Sequence, residues 1–328
     1  MIPYGKQSIS KSDIKAVNEV LNSDFITQGP KVPEFENKVK AFVGSKFAFA
    51  MNSATSSLHI ACLALGLNKG DYLWTSSNSF VASANCGIYC GAKVDFVDID
   101  PISFNMDMNI LRKKLEEAKK NNCLPKVVIP VHMAGQSCDM KTLKKLSQRY
   151  KFKIIEDASH GIGSKYKNNF VGCCEYSDIT VFSFHPVKII TTGEGGIATT
   201  NDKKLAKKLN ILRTHGITKD NKEMLNDSHG PWYFEQLELG FNYRMTDIHA
   251  SLGINQMKRL KSFVYKRNAL AKNYNSLLKD LPLNTPILSK DCLSSFHLYI
   301  VRLNLEKINT NKKEVFNFLR KKGIGVNV

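Results

Sequence analysis

The chain has 328 residues, too many for one small core and enough for a large domain with a smaller companion. Hydrophobic residues make up 43% and charged residues 23%, an ordinary globular balance, and no stretch reaches the roughly twenty apolar residues that a membrane helix needs. The net charge of +18 raises nucleic acid and membrane surfaces as partners, but the lysines lie along amphipathic helix faces such as LRKKLEEAKK and TLKKLSQRYK, and no nucleic-acid module accompanies them.

In chain order, KSDIKAVNEVLN (11–22) reads as a helix with Ile14, Val17 and Leu21 on one face. SDFITQGPKV is a loop, and EFENKVKAFVG is a second helix stopped by Gly44. KFAFAMNSATSSLHIACLALGL predicts a strand, a polar turn and an apolar helix, and YLWTSSNSFVASANCGIYCG repeats that theme. KVDFVDID is a strand, NILRKKLEEAKKN a helix, KVVIPVHMAG a strand and TLKKLSQRYK a helix. KIIEDASHG, DITVFSFH and GGIATTND complete the run of strands. Apolar strands alternating with helices predict an α/β fold with a mostly parallel sheet covered on both faces, its ligands at the strand ends.

After about residue 250 the pattern changes. SLGINQMKRLKSFVYKRNALAKNYNSLLKDL predicts one long helix, leading into HLYIVRLN (strand), NKKEVFNFLRKKG (helix) and IGVNV. The expected organisation is a large domain over 1–250 and a small α+β domain over 251–328. Because the chain stops at Val328 within a strand-like run, a C-terminal truncation is expected. The start, MIPYGKQSISKSD, lacks the apolar run of a signal peptide, which predicts a cytoplasmic protein. The eight cysteines form no C-x-x-C pair, so reduced thiols are expected and a metal site is not.

Asp157 in IIEDASHGIG and Lys188 in VFSFHPVKIITTGEGG are the most informative pair. A carboxylate at one strand end and a lysine one strand-turn later suit pyridoxal phosphate (PLP): the acid keeps a pyridine nitrogen protonated and the amine bonds the cofactor aldehyde. Alone, Lys188 reads as a surface lysine and Asp157 as a strand-end cap. In NSATSSLH the Ala54 and Thr55 backbone N–H groups, at the positive end of a helix, suit a phosphate, and Ser53 and Thr55 also read as ordinary N-caps. Gly193, Gly195 and Gly196 are expected to allow close backbone approach and positive φ after Lys188.

IPYGKQSIS, FITQGPKVPEFE, NSATSSLH, NSFVASAN, EDASH, FSFHPVKIITTGEGG, LRTHGI, LGFNYRMTDIHASLG and FHLYIV run through the chain in the order of one known group. The sequence resembles the DegT/DnrJ/EryC1/StrS family of PLP-dependent nucleotide-sugar aminotransferases. The resemblance implies a fold-type-I PLP transferase that moves an amino group from L-glutamate to a 4-keto-6-deoxy nucleotide sugar. It implies Lys188 as the catalytic lysine and Asp157 as its partner at the ring nitrogen. Ser53, Ala54, Thr55 and Ser183 would bind the phosphate, Phe80 would stack on the ring and His160 would pack beside it. Asn242 would reach the phosphate of a neighbouring subunit, making a homodimer with shared sites. Tyr4, Thr27, Gln28, His185, Arg244 and His297 would border the substrate. Family members that dehydrate sugars replace the lysine, commonly by histidine, and Lys188 is retained here. The same set argues against a silent scaffold.

Overall fold

Helices come first. In the computed structural model, which describes residues 1–328, α1 (Lys11–Leu21) opens with Ser10 and Asp13 capping each other's backbone N–H, and α2 (Lys31–Val43) ends at Gly44 with φ 82°. Strands and helices then alternate: β1 (Phe47–Met51), α3 (Ala54–Ala64), β2 (Tyr72–Ser76), α4 (Ala82–Tyr89), β3 (Lys93–Val97), α5 (Met108–Lys120), β4 (Val127–Ile129), α6 (Met140–Tyr150) and β5 (Lys153–Asp157). A small hairpin, β6 (Lys165–Tyr166) and β7 (Asn169–Phe170), precedes β8 (Ile179–Ser183), β9 (Gly196–Thr200) and α7 (Lys203–Leu212).

Seven strands form the central sheet in the order β1-β9-β8-β5-β4-β2-β3. Only β9 is reversed: it pairs antiparallel with both β1 and β8, while the pairs β8–β5, β5–β4, β4–β2 and β2–β3 are parallel. An antiparallel return needs no crossover helix, so residues 184–195 join β8 to β9 as a loop across the ends of the strands.

Side chains alternate between the two faces. Leu73, Val127, Ile129, Ile155, Val181 and Ala198 point into one layer with α3 and α7, in a core that includes Leu58, Ile60 and Leu209. Their neighbours point the other way. Phe182 and Ile197 meet Phe35 of α2 and Ile254 at one end, and Trp74, Val128 and Ile154 meet Leu111, Leu115 and Leu143 at the other. Helices therefore cover both faces, as the apolar strands require.

A two-stranded pair, β10 (Ile217–Thr218) with β11 (Glu235–Gln236), leads to α8 (Asp247–Met257) and α9 (Leu260–Leu277). The expected single long helix is thus two. The backbone turns at Lys258 and Arg259, whose N–H groups reach back three residues to Asn255 and Gln256, and the Arg259 guanidinium pairs with buried Asp13. α8 straddles residue 250 and packs against α1 and α2. Beyond it, β12 (Leu283–Asn284) pairs with β14 (Arg302–Leu303), β13 (Cys292–Leu293) joins β6, and α10 (Lys312–Lys321) follows. Two expected strands are shorter than read. HLYIVRLN pairs only at Arg302 and Leu303, and KVVIPVHMAG yields only Val127–Ile129. Pro130 lacks an N–H and interrupts the latter ladder, which resumes only as an isolated bridge between Val131 and Asp157 before the chain turns at Met133–Gly135. No helix is long and apolar enough to cross a membrane.

Candidate active site

The sheet register gathers the motif residues. Met51 lies opposite Gly196, and Gly196 lies opposite Ser183, so the ends of β1 and β8 and the start of β9 share one edge. Asp157 ends the parallel neighbour β5 at the same edge. Residues far apart in sequence, 53–55, 157, 183 and 188, thereby meet where open α/β sheets bind ligands.

Asp157 is buried. Its Oδ2 accepts the Ser83 hydroxyl at 2.6 Å and its Oδ1 accepts the Ser159 N–H at 3.0 Å. Lys188 is half-buried in the loop after β8, its backbone N–H bonded to the His185 carbonyl. Burial lowers its ammonium pKa, and the Asp157 charge opposes that shift without fully restoring it. The Asp157 charge acts on the Lys188 amine, yet the two groups form no ion pair.

Helix α3 points its N-terminus at the same edge. The Ser53 hydroxyl accepts the Ser56 N–H and so caps the helix, and the Ala54 and Thr55 N–H groups have no partner in the protein. Gly196 lies under this turn; a Cβ there would come within 2.4 Å of the Ala54 nitrogen. Of the three glycines after Lys188, only Gly193 has positive φ (87°), so Gly195 and Gly196 serve close approach alone. Ser183 is buried at the end of β8.

His160 packs against His297, its ring tilted 40° to the other with centroids 4.3 Å apart. Burial and the nearby Lys188 charge, opposed by Asp157, bring His160 down to about 3, and burial with His160, Lys188 and Arg267 lowers His297. Both rings are therefore neutral at physiological pH. His160 Nδ1 accepts the Ala134 N–H at 3.3 Å, while the buried Nδ1 of His297 has no protein partner. The Arg267 guanidinium donates to the carbonyls of Phe296 and His297 and holds this turn, in which Phe296 has φ 46°.

The remaining expected residues lie at the margin. Phe80 is 75% exposed, just before α4, whose Ser83 touches Asp157. Asn242 is exposed and bridges Thr214; its neighbour Arg244 bridges Met51. Tyr4 is exposed on an N-terminal arm whose Gly5 passes Val187, next to Lys188. Thr27 bridges Thr246, and Gln28 has φ 54°, both exposed. His185 is exposed, its Nε2 4.0 Å from Glu194. Sequence reasoning passed over Ser83, Arg267 and the buried pair His132–Glu156. Ser83 lies inside the NSFVASAN motif, and its spacing from Phe80 was the available signal.

The donor set fits a phosphorylated pyridine aldehyde: free N–H donors at a helix end, a buried carboxylate and an amine with lowered pKa, all at one sheet edge.

The sequence matches the DegT/DnrJ/EryC1/StrS aminotransferase family over residues 7–328. It is 39% identical over 330 residues to UDP-4-amino-4,6-dideoxy-N-acetyl-beta-L-altrosamine transaminase of Campylobacter jejuni, covering 100% of this chain and 83% of that protein. It is 37% identical to the spore coat polysaccharide biosynthesis protein SpsC of Bacillus subtilis, over 97% of this chain and 80% of that one. Among solved structures it is similar to Helicobacter pylori PseC, an aminotransferase of pseudoaminic acid biosynthesis, with TM-score 0.87 and 33% identity over 98% of this chain and 82% of PseC. The putative sugar aminotransferase Spr1654 of Streptococcus pneumoniae, in its PMP form, gives TM-score 0.89 and 30% identity over 100% of this chain and 85% of that one. The chain belongs to the DegT/DnrJ/EryC1/StrS aminotransferase family.

Proposed function

We propose that this enzyme transfers the amino group of L-glutamate to the keto carbon, at C4, of a UDP-linked 6-deoxy sugar, in the biosynthesis of pseudaminic acid or a related amino sugar. It is a PLP-dependent sugar aminotransferase. The cofactor, when bound, supplies an electron sink for the carbon that loses or gains the proton. The observation that carries the reading is the half-buried Lys188 amine that feels the charge of the buried Asp157 carboxylate, at the same strand ends as the free N–H groups of α3.

In this reading Asp157, held by Ser83 and the Ser159 N–H, keeps a proton on the ring nitrogen. Lys188 bonds the cofactor between turnovers and, once released, moves a proton at its Nζ. Its lowered pKa suits this role, because a neutral amine can accept a proton and then return it. Ala54, Thr55, Ser53 and Ser183 hold the phosphate. Phe80 covers one ring face and His160 packs beside the ring. Neutral His160 and His297 add no positive charge that would compete with the protonated ring. Tyr4, Thr27, Gln28, His185, Arg244 and His297 border the sugar nucleotide.

The assembly in this reading is a homodimer in the cytoplasm, with Asn242 completing the site of the other subunit. Exposed apolar side chains at Phe80, Val81, Ile88 and Tyr89, on and beside α4, support a covered face there. In this reading a large domain spans 1–250 and a small C-terminal domain 251–328, while α8, which straddles that boundary, packs with the N-terminal helices.

The test is a screen of 4-keto nucleotide sugars with glutamate and PLP, scored by the mass of the product. An aminated UDP sugar that forms only with glutamate supports the reading. Release of ammonia with formation of a deoxygenated sugar would overturn it.

A further inference from the structure

Directly beside Asp157 lies a second buried acid that the reading above does not use. Glu156 precedes it on β5, and strand alternation turns its side chain to the opposite face. Its Oε2 is 2.7 Å from Nε2 of His132, and its Oε1 accepts the hydroxyls of Thr180, at 2.9 Å, and Ser177. Burial opposes ionisation, but hydrogen bonds from His132, Ser177 and Thr180 outweigh it and hold the carboxyl below its ordinary range.

His132 has no exposed surface. Burial disfavours a charged ring, while Cys138 and Glu156 favour one and would push its pKa up to about 10. The Cys138 N–H, however, donates to Nδ1 at 3.2 Å, which keeps a second proton off that nitrogen. The neutral ring with its proton on Nε2 satisfies both contacts.

The backbone of His132 grips the same strand end. Its N–H donates to the Asp157 carbonyl at 3.1 Å, and the Asp157 N–H donates to the Pro130 carbonyl at 3.0 Å. The turn that follows, Met133–Gly135, places Ala134 at φ 57°, a conformation that a non-glycine residue adopts only when its surroundings hold it there. From that position the Ala134 N–H reaches His160 Nδ1 and the Ala134 carbonyl accepts the His297 N–H at 2.9 Å. The backbone of residues 130–134 thus holds Asp157, His160 and His297 together, and the buried His132 side chain, bonded to Glu156 and to the Cys138 N–H, anchors that backbone segment.

We propose that His132, anchored by Glu156, is a positioning residue for the transamination, setting Asp157 and His160 against the cofactor ring. This rests on the reading of Lys188 and Asp157 as the cofactor's partners. Loss of a hydrogen bond to a buried charge predicts that His132→Ala weakens PLP binding and lowers kcat by about 10- to 100-fold each. His132→Gln, which keeps an N–H donor toward Glu156, recovers most of both.

The experiment measures PLP dissociation, kcat and KM, and the pH midpoint of the bound cofactor's absorbance, for His132→Ala, His132→Gln, Glu156→Gln and a Lys188→Ala control. A shifted midpoint with weaker PLP binding in His132→Ala, restored in His132→Gln, supports the proposal. A lower melting temperature with PLP affinity, kcat and midpoint all within twofold of wild type overturns it. Should His132→Ala fail to fold, the near-isosteric Glu156→Gln is judged by the same readouts and the same limits. A Lys188→Ala protein that keeps the covalently bound, yellow cofactor overturns the underlying reading instead, so the two failures are distinct.

Discussion

The Ser83 hydroxyl donates to Oδ2 of Asp157 at 2.6 Å, so the first turn of α4 holds the carboxylate at the end of β5. A hydrogen bond to a charged acceptor contributes about 1.5–3 kcal/mol. Ser83→Ala is expected to weaken PLP binding by about tenfold or more. Equilibrium dialysis checks this, and an unchanged dissociation constant would show that Ser159 alone suffices.

Lys188 gives the cofactor-free protein a characteristic pH response. Its folded pKa lies below the value near 10.5 of the free side chain, mainly through burial. Between those two values the unfolded chain binds more protons, so stability rises with pH across that window. Below it, the buried ammonium is a constant penalty. In the cofactor-free protein, Lys188→Met should therefore raise the melting temperature at pH 7, with the gain shrinking as pH approaches 10.5. Thermal melts at a series of pH values test both the sign and the convergence.

The histidine pair acts at the acid end. His160 falls to about 3 from its ordinary 6.5. The stability tied to its neutral form is fully present above 6.5 and is lost as pH drops toward 3. His160→Gln should flatten that acid limb in urea titrations while leaving the slope above pH 7 unchanged. An equally steep limb in the variant would assign acid sensitivity to other groups.

Gly196 bears on the phosphate site through space alone. A Cβ would lie 2.4 Å from both the Ala54 nitrogen and the Ser53 carbonyl carbon, forcing the first turn of α3 off the sheet. Overpacking of this kind costs about 1–3 kcal/mol. Gly196→Ala should weaken PLP binding about tenfold. The same dialysis measurement decides, and wild-type affinity would mean that the turn can yield freely.

Asp13 joins the N-terminal helix to the junction of α8 and α9. It is fully buried and accepts donors from Asn255, Gln256 and Arg259. Removing one partner of a fully buried pair costs about 3–5 kcal/mol; because Arg259 is partly exposed, Arg259→Ala should cost about 2–3 kcal/mol. Urea unfolding at pH 7 measures it.

Much of the architecture was legible in order. The apolar strands 47–51, 72–76, 153–157 and 179–183, each followed by a polar turn, announce an α/β sheet, because a two-sided core demands continuous apolar runs. Other features were not. The reversal of β9 leaves no mark in GGIATTND, since a strand buried on both faces reads alike in either direction. The break at Lys258 coincides with Arg259 reaching Asp13, some two hundred and fifty residues earlier, a contact that helical periodicity cannot register. The expected continuous strand through KVVIPVHMAG is interrupted at Pro130, a breaker visible in the string, and survives beyond it only as the Val131–Asp157 bridge.

The sequence by itself determined the family, the kinds of group at the site, and the run of strands and helices, because those follow from local pattern and from motifs in order. Tertiary structure alone decided what each group faces. Strand pairing over long separations set Ser83 on Asp157, Gly196 under Ala54, and His132 behind the strand end that carries the acid. Burial and neighbouring charge are properties of that assembled environment, and they are what lower the proton affinities of Lys188 and His160.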